Sequence, residues 1–385
     1  MTTPKLLPFR WLPVRDIGKP QGVLILLWIL LNSFFLIHQG IYLEGESAKY
    51  IYQGHVLLNT GAPESANFWL YSVEIFLVAF CLKLHLGFFF VVFIQLLFNA
   101  VATTFFYRTL HSIFENRQTA FLGTLLLLGN YYYQQFNTFL YTESLFYSFT
   151  LILSCYLLHI RQLTIKNLLA VIGMLTIICF TRPTGLLFLP PTFLYLFLVF
   201  FQKMSTPKKI ALLSVITIGF LLLLNIALGS GGELDIMLPF RDQSIICGVP
   251  TLAKPLPIKT AANGNSLYGL LYYILHNIPQ FVKMGWLRTC AFFGLYRDYF
   301  STGHNLYLLI YFNFIHLLAL LSLPHWFKRN ADIAIYLLSA IGLTWLTAIL
   351  TCDDWHNRFY LDISPFLIIL AMPAFFSRNL RSNTR

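Results

Sequence analysis

Charged residues are scarce in this chain: only 11% of its 385 residues are Asp, Glu, Lys or Arg, while 57% are hydrophobic. Soluble domains carry charge at about 25% of their positions, so the composition excludes an ordinary soluble protein. The sequence also has no nucleotide-binding glycine loop and no HExxH or GxSxG motif. These absences remove support for ATP-driven transport and for the common hydrolases. We therefore expect any chemistry to take place in a membrane or on its outer loops.

Cysteine is equally sparse, and its spacing is not that of a metal site. The six cysteines are scattered without a CxxC pair, at positions 81, 155, 179, 247, 290 and 352. Isolated cysteines of this kind usually behave as small apolar side chains. We expect them to be packing residues or free thiols.

Long apolar runs are abundant. About 20 apolar residues are needed for a helix to cross about 30 Å of hydrocarbon. Ten runs approach this length, near 21–38, 87–107, 119–136, 138–160, 166–181, 184–201, 210–229, 305–323, 333–350 and 359–377. The pattern predicts an all-α polytopic membrane protein with about ten transmembrane helices.

The distribution of charge predicts the orientation of these helices. Sixteen of the 26 basic residues, but only three of the 15 acids, fall in the segments on one predicted side. Basic segments stay in the cytoplasm, so both terminal segments, 1–20 and 378–385, are predicted to be cytoplasmic. Topology therefore explains the net charge of +11, and no nucleic-acid partner is needed.

Residues 69–86 are ambiguous because they are long enough to span a membrane but contain Glu74, Lys83 and His85. If this segment crossed, every later loop would change sides and the charge balance would largely invert. We therefore predict an amphipathic helix that lies at the outer surface or dips into the membrane, and that does not span it.

These assignments divide the chain into a module at 21–229, a long outer loop at 230–304 and a C-terminal helix group at 305–377. The first module contains seven spans and the first outer loop, 39–86. Loops of this length in a compact protein are more often functional than idle. Interfacial helices at 69–86 and 281–296 would cover a lipid-facing cavity.

Ionisable residues gather at the predicted outer ends of the spans. They come from four distant segments: Glu44 and Glu46, then Glu143, then Arg182, and finally Asp353, Asp354, His356 and Arg358. A single charge at the edge of the hydrocarbon is often only a solvated helix end. Several such groups on one face are functional candidates, and acids beside cations suit a reaction that deprotonates a hydroxyl and releases a phosphate.

The first outer loop reads Glu46-Ser-Ala-Lys49-Tyr50, and it resembles that of the GT-C superfamily of integral-membrane glycosyltransferases, which use polyprenyl- or dolichyl-phosphate sugars. The superfamily includes protein O-mannosyltransferases, aminoarabinose transferases and rhizobial lipopolysaccharide sugar transferases. Residues Glu46-Ser-Ala-Lys49-Tyr50 match its Asp-Glu-x-x-Tyr frame, with Glu-Ser in place of Asp-Glu. Register with Tyr50 favours Glu46 as the general base, and Glu44 is the alternative.

Three later outer segments are also similar to the family's pattern. They are Asn137–Leu145 with its acid at Glu143, the turn Arg182–Gly185, and His356–Tyr360 followed by Pro365. Seven spans, a long outer loop and a smaller C-terminal helix group resemble the superfamily's arrangement. The resemblance therefore implies a GT-C-like fold of seven plus three helices with interfacial helices on the outer face.

The function implied is inverting transfer of a sugar from a polyprenyl-phosphate donor to a hydroxyl on a lipid, glycan or protein. The implied catalytic residues are Glu46, Glu44 and Glu143; the phosphate-binding residues are Arg358, His356, Arg182 and Arg288; the residues near acceptor or sugar are Tyr50, Asp353 and Asp354. Mg²⁺ or Mn²⁺ is compatible with the carboxylates, but no spacing demands a metal. We expect a bacterial inner-membrane protein with a periplasmic active site.

Two other functional classes fit parts of the sequence. An O-antigen polymerase or ligase is also polytopic with a long late outer loop, but its outer loops would be rich in Arg. A secondary transporter or lipid flippase would suit the broken turn at 181–185. It predicts similar halves of the chain and charges midway through the spans, and the sequence shows neither.

Overall fold

The protein is helical throughout the part of the chain that the computed structural model describes, residues 18–202, 204–229, 235–249 and 257–376. These ranges contain no β-strand, only isolated β-bridges. The helices are α1 (Lys19–His38), α2 (Glu46–Thr60), α3 (Ser72–Lys83), α4 (Phe88–Phe114), α5 (Arg117–Gly129), α6 (Tyr131–Gln135), α7 (Thr142–His159), α8 (Ile165–Thr181), α9 (Leu189–Phe200), α10 (Thr206–Gly229), α11 (Leu238–Arg241), α12 (Leu267–His276), α13 (Ile278–Gly294), α14 (Thr302–Arg329), α15 (Ala331–Leu350) and α16 (Arg358–Phe376). Short 3₁₀ turns occupy Ala66–Tyr71, Phe136–Thr138 and Pro183–Phe188.

Eight helical segments within these ranges are long and apolar enough to cross a membrane. They are Lys19–His38, Ala66–Lys83, Phe88–Phe114, Pro183–Phe200, Thr206–Gly229, Thr302–Arg329, Ala331–Leu350 and Arg358–Phe375. The predicted class, an all-α polytopic membrane protein, is therefore confirmed, while the count of ten spans stays a prediction. Nearly all of the two predicted cytoplasmic ends, 1–20 and 378–385, lies outside the described residues.

The chain forms two compact units. The first comprises Met1–Gly185 together with Ile368–Arg385, and the second comprises Leu186–Leu367. In the first unit α4 packs along α7, and α2 packs against α3. In the second, α15 packs against both α9 and α13. The predicted limits at 229, 304 and 377 stay predictions.

The segment at 69–86 differs from the amphipathic helix predicted there. Glu74, the acid in α3 that favoured a water-facing position, is fully buried in the first unit. The exposed side of α3 carries Phe76 and Phe80, about half exposed. A helix with a buried acid and an exposed apolar face is not amphipathic in the expected sense, and Ala66–Lys83 is one of the eight apolar segments.

The predicted span at 119–136 is not one helix. Helix α5 ends at Gly129, and the side chain of Asn130 accepts a hydrogen bond from the Tyr133 N–H at 3.3 Å, which starts α6. Glycine and asparagine are the residues that most readily end one helix and cap the next. The break brings Phe136–Thr138 to the first outer loop, where the Tyr42 N–H donates to the Thr138 carbonyl at 3.0 Å.

Candidate functional site

The first outer loop presents a carboxylate at the start of a helix. Glu46 is the first residue of α2, and the preceding Gly45 has φ +62°, a conformation that glycine adopts without steric cost. An acid in the first helical turn is favoured by the helix dipole. The Glu46 side chain keeps 27% of its surface exposed, so this carboxylate remains accessible.

One turn along α2, Tyr50 orients that carboxylate. Its hydroxyl donates to Glu46 Oε2 at 3.1 Å, as the i, i+4 spacing allows. Tyr50 is fully buried. Its burial, and to a lesser extent the nearby Glu46 carboxylate, raises the pKa of the Tyr50 hydroxyl well above its ordinary value. The hydroxyl therefore stays protonated and remains a donor. Lys49 Nζ lies 3.9 Å from the same Oε2 and 4.8 Å from the centre of the Tyr71 ring.

Glu143 and Arg182, predicted separately, form one ion pair. Arg182 Nη1 donates to Glu143 Oε1 at 2.6 Å, and both side chains are buried. Glu143 lies in the first turn of α7, and Arg182 follows α8 in a tight turn. The turn needs Gly185, since a Cβ there would lie 2.5 Å from the Ile178 carbonyl oxygen. Beyond the effect of burial, Glu143 raises the pKa of Tyr50 and Arg182 lowers it. The ion pair therefore lies within electrostatic reach of Tyr50, the residue that binds Glu46.

Glu74 was missed by sequence reasoning, which treated it only as a surface charge. It is fully buried, and neither carboxyl oxygen has a hydrogen-bond partner in the described part of the chain. Glu74 lies in α3, which packs closely against the helix that begins at Glu46: a Cβ on Gly54 of α2 would lie 3.0 Å from Val78 Cγ1 of α3. Buried polar groups without partners are rare and call for an explanation. An acid inside an apolar helix was the available sequence signal.

The first unit thus brings together four predicted residues: Glu46, Tyr50, Glu143 and Arg182. The Glu44 side chain, by contrast, is exposed. Chemically, the accessible carboxylate of Glu46 can accept a proton, and the Tyr50 hydroxyl fixes its direction. Buried Glu143 is already engaged with Arg182, so it is less able to act as a base.

The second unit holds another charged cluster, at the turn before α16. Arg297 Nη2 donates to Asp353 Oδ2 at 2.5 Å, and Arg358 pairs with Asp354 at 2.8 Å. All four side chains are buried. Burial raises the pKa of Asp353 to about 6 although the Arg297 guanidinium lowers it. Sequence reasoning found both aspartates and Arg358 but missed Arg297, which lies 56 residues away in sequence.

A disulfide between Cys247 and Cys352 fastens this turn to an earlier segment of the same unit. The prediction that all six cysteines are packing residues or free thiols is therefore wrong for this pair. Backbone hydrogen bonds support the link, because the Cys247 N–H donates to the Asp353 carbonyl and the Asp353 N–H donates to the Ile245 carbonyl, both at 2.8 Å. The two cysteines are 105 residues apart, and no local spacing indicates such a pair.

Arg288, predicted to bind phosphate, is engaged with the protein's own backbone. Its three guanidinium nitrogens donate to the carbonyls of Ser244, Ile349 and Pro239 at 2.8–3.1 Å. It is fully buried, and burial lowers its pKa to about 10. Its observed contacts tie three backbone segments together.

His356 is half-buried beside aromatic rings. Its ring centre lies 3.7 Å from that of Trp355 and 6.3 Å from that of Phe300. In the described residues no three His, Cys, Asp or Glu side chains are grouped so that they could hold a metal ion. The use of Mg²⁺ or Mn²⁺ stays a prediction.

Comparisons with protein-family models, with curated proteins and with solved structures give no match to this chain.

Proposed function

We propose that this protein is a membrane glycosyltransferase that moves a sugar from a polyprenyl-phosphate donor to an acceptor hydroxyl. One observation supports this most directly: an accessible carboxylate, Glu46, is oriented by the buried Tyr50 hydroxyl at 3.1 Å. The buried Glu143–Arg182 pair lies in the same unit. A general base needs both access to its substrate and a fixed direction.

In the proposed reaction Glu46 removes the proton from the acceptor hydroxyl as its oxygen attacks the anomeric carbon. The bond from that carbon to the phosphate oxygen breaks, and polyprenyl phosphate leaves with the bonding electron pair. A single displacement inverts the configuration of the sugar. Proton abstraction by a positioned carboxylate typically contributes about 10²–10⁴-fold to the rate.

The leaving phosphate needs cations nearby, since charge-assisted donors stabilise developing negative charge. In the first unit we assign this role to Arg182 and to Lys49, which lies beside Glu46 with 22% of its side chain exposed. Arg358 and His356 of the second unit stay predictions from the sequence. Arg288 is the weakest candidate because its nitrogens already bind carbonyls.

The disulfide supports an extracytoplasmic position for the turn that it holds. Disulfides persist in oxidising compartments such as the bacterial periplasm and are rare in the cytosol. Cys352 directly precedes Asp353 in the turn that the charge pattern assigns to the outer face. We therefore propose a bacterial inner-membrane enzyme that acts on the periplasmic side on a lipid, glycan or protein acceptor.

The decisive experiment uses purified protein, a panel of polyprenyl-phosphate sugars and detection of the released polyprenyl phosphate. The substitution Glu46→Gln should lower kcat by about 10²–10⁴-fold. Its matched control, Glu44→Gln, removes a neighbouring charge that is exposed and should leave kcat within about twofold. Undiminished transfer by Glu46→Gln would move the base to Glu44. Failure of the wild type to consume any donor would refute the function.

A proton-coupled transporter is the second candidate, and Glu74 is the observation that favours it. Buried acids within apolar helices often belong to proton pathways. On this hypothesis Glu74→Gln would abolish proton-driven uptake of the transported solute into proteoliposomes. No polyprenyl-phosphate sugar would release polyprenyl phosphate in the transfer assay. The polymerase or ligase hypothesis stays a prediction from the sequence.

A further inference from the structure

The first outer loop is joined to the start of α7 by contacts that the proposed reaction does not itself explain. Tyr42 and Phe139 form a parallel β-bridge, in which the Leu140 N–H donates to the Tyr42 carbonyl at 3.2 Å. Two loops about 100 residues apart are thereby aligned. One leads into Glu46 and the other leads into Glu143.

Tyr141 completes this junction from the second loop. Its hydroxyl donates to the Glu44 carbonyl at 3.2 Å and accepts from the Glu46 N–H, also at 3.2 Å. The side chain is buried, and the Tyr141 carbonyl accepts from the amide of buried Gln95 at 3.1 Å. One hydroxyl thus holds the backbone on both sides of Gly45.

Gly45 is the residue that permits this contact. It combines φ +62° with a very close approach, since a Cβ at this position would lie 2.5 Å from the Tyr141 hydroxyl oxygen. Any other side chain would be strained and would displace the hydroxyl. The loop therefore has the residue required for Tyr141 to reach the first backbone N–H of α2.

We propose that Tyr141 is a positioning residue, whose hydroxyl fixes the start of α2 and thereby the location of the Glu46 carboxylate relative to Glu143. Its catalytic consequence rests on the proposed function; its structural consequence does not. A misplacement of about 1 Å in a reacting group can cost about 100-fold in rate. A single hydroxyl at the base of the loop can therefore control the reaction without touching substrate.

The test compares Tyr141→Phe with Tyr42→Phe, a matched control that removes a hydroxyl from the same junction but leaves its backbone bridge. Hydrogen exchange of peptides covering 41–50 is measured first, because it does not depend on activity. Tyr141→Phe should speed exchange in this segment about tenfold or more, since the Glu46 N–H loses its acceptor. It should also lower kcat about 10–100-fold with KM for the donor within about twofold. Tyr42→Phe should change neither.

Unchanged exchange in Tyr141→Phe would overturn the proposal, as would faster exchange with unchanged kcat. If the wild type transfers no sugar, the proposed function fails, and hydrogen exchange alone still decides whether Tyr141 holds the loop. Gly45→Ala tests the same contact if Tyr141→Phe does not fold. It should give the same exchange and kcat changes, and wild-type behaviour in Gly45→Ala would contradict the proposal.

Discussion

The two units each contain a cluster of acids and arginines, but the clusters differ in how fully their carboxylates are engaged. In the second unit Asp353 and Asp354 are both buried and paired with arginine, and a disulfide closes the turn. In the first unit Glu46 stays partly exposed, and Glu74 is buried with no hydrogen-bond partner among the residues that the structure describes. Satisfied buried charges hold a fold together, whereas accessible or unsatisfied ones indicate chemistry. We therefore expect the proposed reaction to depend more strongly on the first cluster, while the roles predicted for Arg358 and His356 stay predictions.

The largest effect is expected from breaking a buried ion pair in either unit. Arg182→Met leaves Glu143 buried without its partner, and Arg297→Met does the same to Asp353. Loss of one partner of a buried pair typically costs about 3–5 kcal/mol, so thermal unfolding in detergent should begin at lower temperature in both variants.

The transfer assay then separates the two clusters. At a temperature where both variants remain folded, Arg182→Met should lose transfer, while Arg297→Met should retain it. Equal loss of transfer in the two variants would contradict this difference between the clusters.

Removal of the disulfide should have the next largest effect. The double variant Cys247→Ser/Cys352→Ser opens a loop of about a hundred residues, and disulfides typically stabilise by about 2–4 kcal/mol. Thermal unfolding should reveal the loss, and the free cysteine variant Cys290→Ser is the control. A stability equal to that of wild type would mean that the turn is held without the disulfide, by Arg288 and by the backbone hydrogen bonds that Asp353 makes with Cys247 and Ile245.

A smaller effect of opposite sign is expected at Glu74. Glu74→Met replaces a buried carboxyl, which has no hydrogen-bond partner in the described ranges, by an apolar side chain of similar volume. This change should raise stability by about 1–2 kcal/mol. If Glu74 is kept for function, the more stable Glu74→Met protein should also be less active than the wild type. Glu143→Met is the contrasting control, because it strands Arg182 and should destabilise. Lower stability in Glu74→Met would show that the carboxyl has a structural partner.

The smallest effect is the pH dependence from Asp353. Its pKa is about 6 in the folded protein against an ordinary 3.8, so the folded state retains a proton that the unfolded chain releases. The stability that this group contributes is present below about pH 4 and falls as pH rises through 6. Between pH 5 and 7 the loss amounts to about 1 kcal/mol. Thermal unfolding should show that the wild type loses about this much stability from pH 5 to pH 7 relative to Asp353→Asn. An equal change in the two proteins would refute the elevated pKa.

Local features of the site could be predicted from the sequence. Glu46 and Tyr50 are one helical turn apart, so their hydrogen bond follows from helix geometry once the loop is known to begin a helix. The Arg182–Gly185 segment could likewise be recognised as a tight turn from its Pro and Gly. Which side chains are buried could not be predicted in the same way. Glu74 looked like a surface charge because its sequence neighbours do not reveal which side of α3 faces the protein.

The sequence by itself determined that this is an all-α polytopic membrane protein, because the length and polarity of a run suffice to define an apolar helix. It also favoured Glu46 over Glu44 through the register with Tyr50 in the first-loop frame that the segment resembles. Only the tertiary structure decided that Glu143 pairs with Arg182, that Asp353 pairs with Arg297, and that Cys247 joins Cys352. These partners are separated by 39, 56 and 105 residues. Such pairings depend on how helices pack, and no local pattern encodes which distant side chain will satisfy a buried charge.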